Sequence, residues 1–329
     1  MPTVAPLDLD GHCLATAFLG EAPVFALASG DVHRLDHGTH VHTLHDGLIC
    51  AIRTGDGASL LTGGEDGRVM RLDQDGTVKE IRGPARKWVT SIATGPQATV
   101  GWAAGKTATV QLKDGTERTF TEDRTIEGLA FAPKGLRIAL ARYNGASLHW
   151  VGGTAKPVDL EWKGAHAITT FSPDGRFLVT SMQENALHGW KLDGKPGGDM
   201  KHMRMTGYPA KIRSLSWSAK GRWLASSGAP SAIVWPFSAK DGPMGKAPLE
   251  LGHRSDALVM TVACHPVEDL VALGYADGMV LAVRFADNRE ALLRRPGKGS
   301  ISALAWSPTG RLLAFGSEAG DCGVIDIAG

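Results

Sequence analysis

Apolar and polar residues alternate along most of this chain in short runs, with turn-forming residues between the runs. In "ISALAWSPTGRLLAFGS", which starts at Ile301, an alternating run leads into Ser-Pro-Thr-Gly and then into a second apolar run. Alternation with a period of two places every other side chain on one face of an extended strand, and Pro and Gly favour a tight turn between two strands. The pattern predicts antiparallel β-hairpins, since no segment combines a helical period with capping residues over a comparable length.

The same strand-turn-strand unit recurs along the chain at a spacing of roughly 40 residues. Each copy has three such runs, and short segments such as "TVKEIRG" from Thr77 are long enough to supply a fourth strand. First strands start near residues 14, 48, 89, 126, 167, 212, 259 and 301. Repetition at this period predicts a single all-β domain over residues 1–329, in which every unit forms a small four-stranded sheet.

Two phrases in these units, "FSPDGRFLVTS" from Phe171 and "WSPTGRLLAFGSEAG" from Trp306, resemble those of WD40 repeats. The resemblance extends over essentially the whole chain, although the Trp-Asp pair that gives the family its name is nowhere intact. It implies a β-propeller whose blades are four-stranded antiparallel sheets. Counting first strands predicts eight blades, with seven, the usual number in the family, as the alternative.

The last unit contains three strands, ending in "GVIDIAG" at Gly329, and so lacks a fourth strand of its own. A ring left open at this point would expose unpaired sheet edges. Residues 3–10, "TVAPLDLD", have the length and the alternation of a strand. We therefore predict that this N-terminal segment completes the last blade and closes the ring, as is common in WD40 propellers.

Composition and charge narrow the functional classes. A chain of 329 residues with 43% hydrophobic and 21% charged residues has enough apolar side chains for a large core, and its net charge of +1 offers no broad field for nucleic acid. Basic segments such as "PARKWVT" from Pro84 are too few to line one groove, so nucleic-acid binding is not predicted.

The four cysteines are scattered without a CxxC pair, and no signal peptide or membrane span is evident. These features predict a cytoplasmic protein with reduced thiols.

No motif for catalysis is present: the chain lacks a nucleophile elbow, a Walker loop, a dinucleotide fingerprint and an HExxH sequence. The chain is therefore not expected to be an enzyme, and the resemblance implies a scaffold that binds a protein or a peptide. In WD40 proteins partners commonly dock on the face formed by the loops that enter first strands and the turns that join second to third strands. At those positions stand Lys87, Trp88, Glu127, Arg213, Met260, Glu65, Lys106, Tyr143 and Gln183.

The resemblance also implies a structural hydrogen-bond chain within a blade. An Asp in the turn between second and third strands bonds a His that precedes the first strand, and the His reaches a Ser or Thr of the second strand. In the second unit these residues are His45, Thr62 and Asp66, and His253 is a similar candidate in the seventh unit.

A concentration of histidines in the first unit predicts an alternative function, that of a metal-binding or metal-responsive propeller. The stretch "DVHRLDHGTHVHTLHDG", residues 31–47, holds five of the twelve histidines. If its third and fourth strands are joined by a two-residue turn at His37, then His33 lies opposite His42, and the side chains of His33, His40 and His42 project from one face. Three neutral imidazoles, with His37 as a fourth, suit zinc or nickel, and no other cofactor is predicted.

Overall fold

The computed structural model describes residues 3–192 and 201–328, and these residues form seven hydrogen-bonded antiparallel sheets. β1 spans Thr3–Asp8, and the first sheet consists of β2 (Cys13–Leu19), β3 (Ala22–Leu27), β4 (Asp31–Leu35) and β5 (Thr39–Thr43). The second consists of β6 (Leu48–Arg53), β7 (Ser59–Gly64), β8 (Val69–Asp73) and β9 (Val78–Arg82). The third consists of β10 (Ser91–Thr94), β11 (Val100–Ala104), β12 (Thr107–Gln111) and β13 (Glu117–Thr121), with a short 3-10 helix at Pro96–Ala98.

The remaining sheets complete the chain. The fourth contains β14 (Gly128–Phe131), β15 (Arg137–Trp150), β16 (Val158–Phe171), β17 (Phe177–Met182), β18 (Ala186–Lys191) and β19 (His202–Met205). The fifth contains β20 (Leu215–Trp217), β21 (Trp223–Ser226), β22 (Ala232–Pro236) and β23 (Leu249–Leu251). The sixth contains β24 (Val259–Cys264), β25 (Leu270–Tyr275), β26 (Val280–Arg284) and β27 (Glu290–Arg294), and the seventh contains β28 (Ile301–Trp306), β29 (Leu312–Ser317), β30 (Asp321–Asp326) and β1.

The core lies between adjacent sheets, which pack face to face. Central strands such as β7 and β17 are buried along their whole length, whereas the outer strand β9 is largely exposed. At one such junction Val69 of β8 packs in a single cluster with Val89 and Trp102 of the next sheet. Polar contacts also cross the junctions, because the indole Nε1 of Trp306 donates to the carbonyl oxygen of Ala263 at 2.9 Å. Repetition of this packing fixes each sheet against its neighbours.

The prediction of eight separate four-stranded blades is wrong: the described residues form seven sheets, six with four strands and one with six. The predicted fourth and fifth units share the six-stranded sheet, since β15 and β16 are each 14 residues long. The first half of β15 pairs with β14. β15 pairs with β16 at Tyr143 and again from Gly145 to Leu148, on the two sides of a bend at Asn144 and Gly145, which both have positive φ. β16 in turn pairs with β17 through its last residues. Because β14 and β16 both reach the centre, eight inner strands line the central channel.

The N-terminal strand is the fourth strand of the last sheet. β1 pairs with β30 in antiparallel register from Thr3 opposite Asp326 to Asp8 opposite Asp321. The inner strands β2 and β28 also contact each other, so the first and last sheets are neighbours. Within the described residues, no helix has the length and apolar character needed to span a membrane.

Candidate functional site

The predicted partner-binding residues lie at one end of the sheets. An inner strand begins at the same end of its sheet at which the second strand finishes, because neighbouring strands are antiparallel. Lys87, Trp88, Glu127, Arg213 and Met260 lie at the entries to β10, β14, β20 and β24, and Glu65, Lys106, Tyr143 and Gln183 lie where second strands turn into third strands. Met260 is half-buried and the other eight are exposed. The structure therefore brings this set to a common surface, which we term the entry face.

Two large aromatic side chains are exposed on the entry face. Trp88 is 54% exposed and Tyr143 is 53% exposed. The Lys87 side chain crosses the turn beside Lys106, because a Cβ placed on Gly105 would lie 3.4 Å from its Cδ. Aromatic surface flanked by cations is typical of the residues that dominate binding energy in protein interfaces.

An open groove of about 790 Å³ adjoins Tyr143. It is lined by Asp123, Arg124, Arg142, Tyr143, Asn144, Asp159, Glu161, Trp162 and Lys163. Arg142 is held there by bonds from its guanidinium to Glu122 at 2.7 Å and to Asp159 at 2.6 Å. Trp162 is not among the predicted residues, although "EWKG" precedes the inner part of its strand much as "ARKWVT" precedes β10 at Trp88.

The structural chain predicted in the second unit is brought together. The Nδ1 atom of His45 lies 3.0 Å from a carboxylate oxygen of Asp66, and its Nε2 atom lies 2.8 Å from the hydroxyl of Thr62. Burial raises the pKa of Asp66, but hydrogen bonds from the backbone N–H of Arg68 and from His45 lower it by more than burial raises it. The net pKa is therefore below the usual value. These bonds tie the entry loop of β6 to the turn after β7, and so fix two loops of the entry face.

Two other sheets make a related connection, one with a histidine and one with a tyrosine. In the fourth sheet His166 Nδ1 contacts the Thr180 hydroxyl at 2.7 Å. In the fifth, Tyr208 replaces the histidine: its hydroxyl lies 2.6 Å from Ser226 Oγ and accepts a bond from Trp235 Nε1 at 2.7 Å. Neither connection was predicted, and a tyrosine in a loop has no distinctive spacing in the sequence that would indicate it.

The expectation for His253 in the seventh unit is wrong. Its Nδ1 atom contacts Ser231 at 3.0 Å, in the preceding sheet. The neighbouring Arg254 takes the predicted place and bonds Asp277 at 2.7 Å, and its guanidinium lies over the ring of Tyr275. A guanidinium satisfies the turn carboxylate as an imidazole does, with a longer reach.

The arrangement predicted for metal binding is also wrong, because the register of β4 and β5 differs by one residue. His33 lies opposite Val41, His40 opposite Arg34, and His42 opposite Val32. Directly opposed residues share a face, so His33 is on the other face from His40 and His42.

The cause of the shift is the hairpin loop. It contains three residues instead of two, with a bond of 2.9 Å from the Asp36 N–H to the Gly38 carbonyl and with His37 in the left-handed region at φ 50°. The side chain of His37 is fully exposed, and His40 donates to the Asp36 carbonyl at 2.9 Å. Across the described part of the chain, no group of three or more His, Cys, Asp or Glu side chains has the geometry to hold a metal ion.

The central channel contains two cavities of about 750 and 480 Å³. Their walls are the inner strands, with side chains that are mostly Ala, Ser, Thr and aliphatic residues. The charged residues that line them are Glu127 and Arg213 in the larger cavity and Arg53 in the smaller one. An enzyme with a channel site would place converging titratable groups here, and these walls are dominated by small neutral side chains.

Comparisons with known proteins agree with this architecture. The family model described as "WD domain, G-beta repeat" matches residues 201–235, and the model of the anaphase-promoting complex subunit 4 WD40 domain matches residues 262–329. A search of curated proteins finds no match.

Three solved structures are similar over most of the chain. The computationally designed Ika8 protein has a TM-score of 0.77 at 17% identity, with 97% of this chain and 98% of that chain covered. The C-terminal WD40 domain of Sif2 has a TM-score of 0.75 at 12% identity, covering 100% and 99%. The RRP9 WD40 repeats have a TM-score of 0.62 at 17% identity, covering 85% and 94%. At these identities the similarity concerns the fold.

Proposed function

Because this chain is a β-propeller of the WD40-repeat type, we propose that it is a non-catalytic interaction scaffold whose entry face binds a protein or peptide partner. The observation that supports this most directly is the exposure of Trp88 and Tyr143 on that face, at 54% and 53%. Large aromatic side chains are normally buried, and an exposed pair beside cations favours a binding surface.

The energy available from these side chains is considerable. A tryptophan buries up to about 250 Å² when fully covered, so covering the exposed half of Trp88 removes about 130 Å² from water and contributes about 3 kcal/mol. Tyr143 adds a comparable amount. The cations Lys87 and Lys106 lie at the rim, where they increase the association rate of an acidic partner more than its final affinity. We infer an extended partner segment with an apolar side chain and acidic neighbours.

Rigidity of the entry face favours tight binding. The loop before β6 is tied to the turn after β7 through His45 and Asp66, and the loop before β20 is tied through Tyr208 to Ser226 in β21. Loops that are already ordered lose little conformational entropy when a partner binds. The polar chains inside the sheets therefore support binding without contacting the partner.

The test compares the double variant Trp88→Ala/Tyr143→Ala with Trp150→Ala. Trp150 is 43% exposed, and its ring lies against the guanidinium of Arg137 at the start of β15, away from the bend beside Tyr143. It is therefore a matched aromatic on another surface. Tagged proteins are used to capture partners from the source lysate, and a captured partner is then titrated in purified form. Only part of the roughly 6 kcal/mol from the two side chains appears as binding free energy, because binding also orders side chains and the partner segment. We therefore expect the double variant to lose affinity by at least about a hundredfold, whereas Trp150→Ala retains it.

Two outcomes would contradict the proposal. Equal binding by the wild type and the double variant would remove the entry face from recognition. A loss of binding in Trp150→Ala alone, with an unchanged unfolding temperature, would place the partner on the opposite face.

A further inference from the structure

Two of the four cysteines meet where the first and last sheets join. Cys13 begins β2 and Cys322 lies in β30, and both are fully buried in one cluster. They approach each other over Gly316 of β29: the point that a Cβ on Gly316 would occupy is 2.4 Å from the sulfur of Cys13 and 3.5 Å from the sulfur of Cys322. The missing side chain of Gly316 thus leaves the space in which the two thiols lie together.

At two other junctions that have a glycine in the same place, the equivalent positions hold branched aliphatic residues. At the junction of the second and third sheets, Gly63 lies opposite Val69 and is covered by Val89. At the junction of the sixth and seventh sheets, Gly274 lies opposite Val280 and is covered by Ile301. The repeat thus needs only apolar packing at these two positions.

The junction that closes the ring departs from this rule at both positions. Its glycine is Gly316, and cysteines occupy both places that hold aliphatic residues elsewhere. Two neighbouring thiols can form a disulfide, and apolar packing alone does not require that ability.

We propose that Cys13 and Cys322 form a redox-controlled disulfide that locks the ring, with a hydroperoxide such as hydrogen peroxide as the oxidant. The Cys322 thiolate attacks one peroxide oxygen, the O–O bond breaks, and Cys322 becomes a sulfenic acid while hydroxide leaves. The sulfur of Cys13, after losing its proton, then attacks the sulfenic sulfur, and the S–S bond forms as hydroxide is released again. Two thiols are oxidised, one peroxide is reduced to two water molecules, and no other reactant is needed.

The environments of the two thiols determine which one reacts with the peroxide first. A hydrogen bond from the Cys13 thiol lowers the pKa of Cys322, burial raises it, and a backbone hydrogen bond at Ser317 lowers it again, so that the net pKa is below the usual value. The same contact with Cys322, together with burial, raises the pKa of Cys13 well above its usual value. Cys322 is therefore the first sulfur to react and Cys13 the resolving one.

Access to the pair depends on the closing strand. In β1, Leu7 lies directly opposite Cys322, so a peroxide reaches the sulfur when β1 separates from β30. Reaction of the pair therefore reports opening of the ring, and the disulfide then joins residue 13 to residue 322 within nearly the whole length of the chain. A cross-link that encloses so long a segment restricts the unfolded chain strongly.

Two other cysteines serve as internal controls. Burial raises the pKa of both Cys50 and Cys264 to about 12. Their thiols donate to backbone carbonyls, Cys50 to Val89 at 3.5 Å and Cys264 to Ser216 at 3.3 Å. We expect both to remain reduced under conditions that oxidise the closing pair.

The experiment treats native full-length protein with graded hydrogen peroxide, blocks the remaining thiols with N-ethylmaleimide, and maps the non-reduced peptides by mass spectrometry. We expect a peptide pair linked through Cys13 and Cys322, lighter by two hydrogen atoms than the separate peptides. The oxidised protein should unfold several degrees above the reduced form, and dithiothreitol should abolish the difference. Cys322→Ser should abolish both effects, whereas Cys50→Ser should leave both intact.

Several results would overturn the inference. One is recovery of all four cysteines in alkylated form at a peroxide dose that oxidises glutathione completely. A second is accumulation of sulfenic or sulfinic acid at Cys322 without a cross-link. Peptide mapping of the wild type decides the question even where a serine variant folds poorly, and the result does not depend on partner binding.

Discussion

The hydroxyl of Tyr208 provides a sharp test of the polar chains that hold the sheets together. It lies in a buried relay: Trp235 Nε1 donates to Tyr208 at 2.7 Å, Tyr208 contacts Ser226 at 2.6 Å, and Ser226 donates to the Ile233 carbonyl at 2.8 Å. Because Ser226 uses its hydrogen on Ile233, Tyr208 must donate to Ser226 and accept from Trp235. Tyr208→Phe removes one oxygen and leaves the ring in place.

The expected loss of stability in Tyr208→Phe comes from the Trp235 N–H, which is left without an acceptor. Trp235 is 8% exposed, so its N–H has no ready access to water once the acceptor is gone. A buried donor without a partner costs about 1–3 kcal/mol, while Ser226 keeps its bond to Ile233. Removal of the buried hydroxyl itself recovers part of that cost. We therefore expect Tyr208→Phe to lower the free energy of unfolding by about 2 kcal/mol, a change of about thirtyfold in the unfolding equilibrium.

Urea unfolding followed by tryptophan fluorescence measures this difference, read from the midpoint at an unchanged slope. Tyr143→Phe is the matched control, since Tyr143 is 53% exposed and its hydroxyl is free to bond water. A loss below about 0.5 kcal/mol for Tyr208→Phe, or an equal loss for the control, would refute the view that the relay contributes to stability.

Two further predictions concern other buried polar groups. Burial raises the pKa of Glu122, but bonds from His149, Ser147 and Arg142 lower it to about 2, which is below its unfolded value, so its contribution is present at neutral pH and disappears as the pH falls. Glu122→Gln should be less stable than the wild type by about 3 kcal/mol at pH 7, and thermal scans should show the gap closing between about pH 5 and 2; a gap that is constant with pH would contradict this. Neither ring nitrogen of His188 has a hydrogen-bond partner among the described residues, whereas those of His166 contact Thr180 at 2.7 Å and the Trp162 carbonyl at 3.1 Å. Calorimetry should therefore find His188→Leu at least as stable as the wild type and His166→Leu about 2 kcal/mol less stable, and the opposite order would disprove the reasoning.

Much of the fold could be predicted from the sequence because its signals are local. Alternation identifies strands, and turns such as "SPDG" and "SPTG" separate them, so the repeated units are evident from the residues alone. The number of sheets, in contrast, depends on how separate segments of the chain pair, which no local pattern indicates. Asn144 and Gly145 form a bend that the sequence indicates, but whether the hydrogen bonds stop there depends on how β15 and β16 pair across it.

The candidate sites divide in the same way. His45, Thr62 and Asp66 occupy fixed places within a repeat, and this is why the resemblance to WD40 repeats was sufficient to connect them. The histidines of the first sheet depended on the register of one hairpin, and a single additional loop residue transferred His33 to the other face. The contact between Cys13 and Cys322 joins opposite ends of the chain, so no local pattern indicates it.

Closure of the ring by β1 has a consequence for how the chain folds. Strands within a sheet are near neighbours in sequence, as with Leu312 opposite Asp326, whereas Thr3 pairs with the same Asp326 across nearly the entire chain. Loop entropy grows only with the logarithm of length, so the longer closure costs about 3 kcal/mol more at equilibrium. The effect on folding kinetics is larger than this equilibrium cost, because local hairpins form first and strand pairs distant in sequence form late. We expect the slow refolding step to proceed from an intermediate in which the other strands are paired but β1 has not yet paired with β30. The unpaired edge of β30 is then where two chains in a concentrated solution would associate.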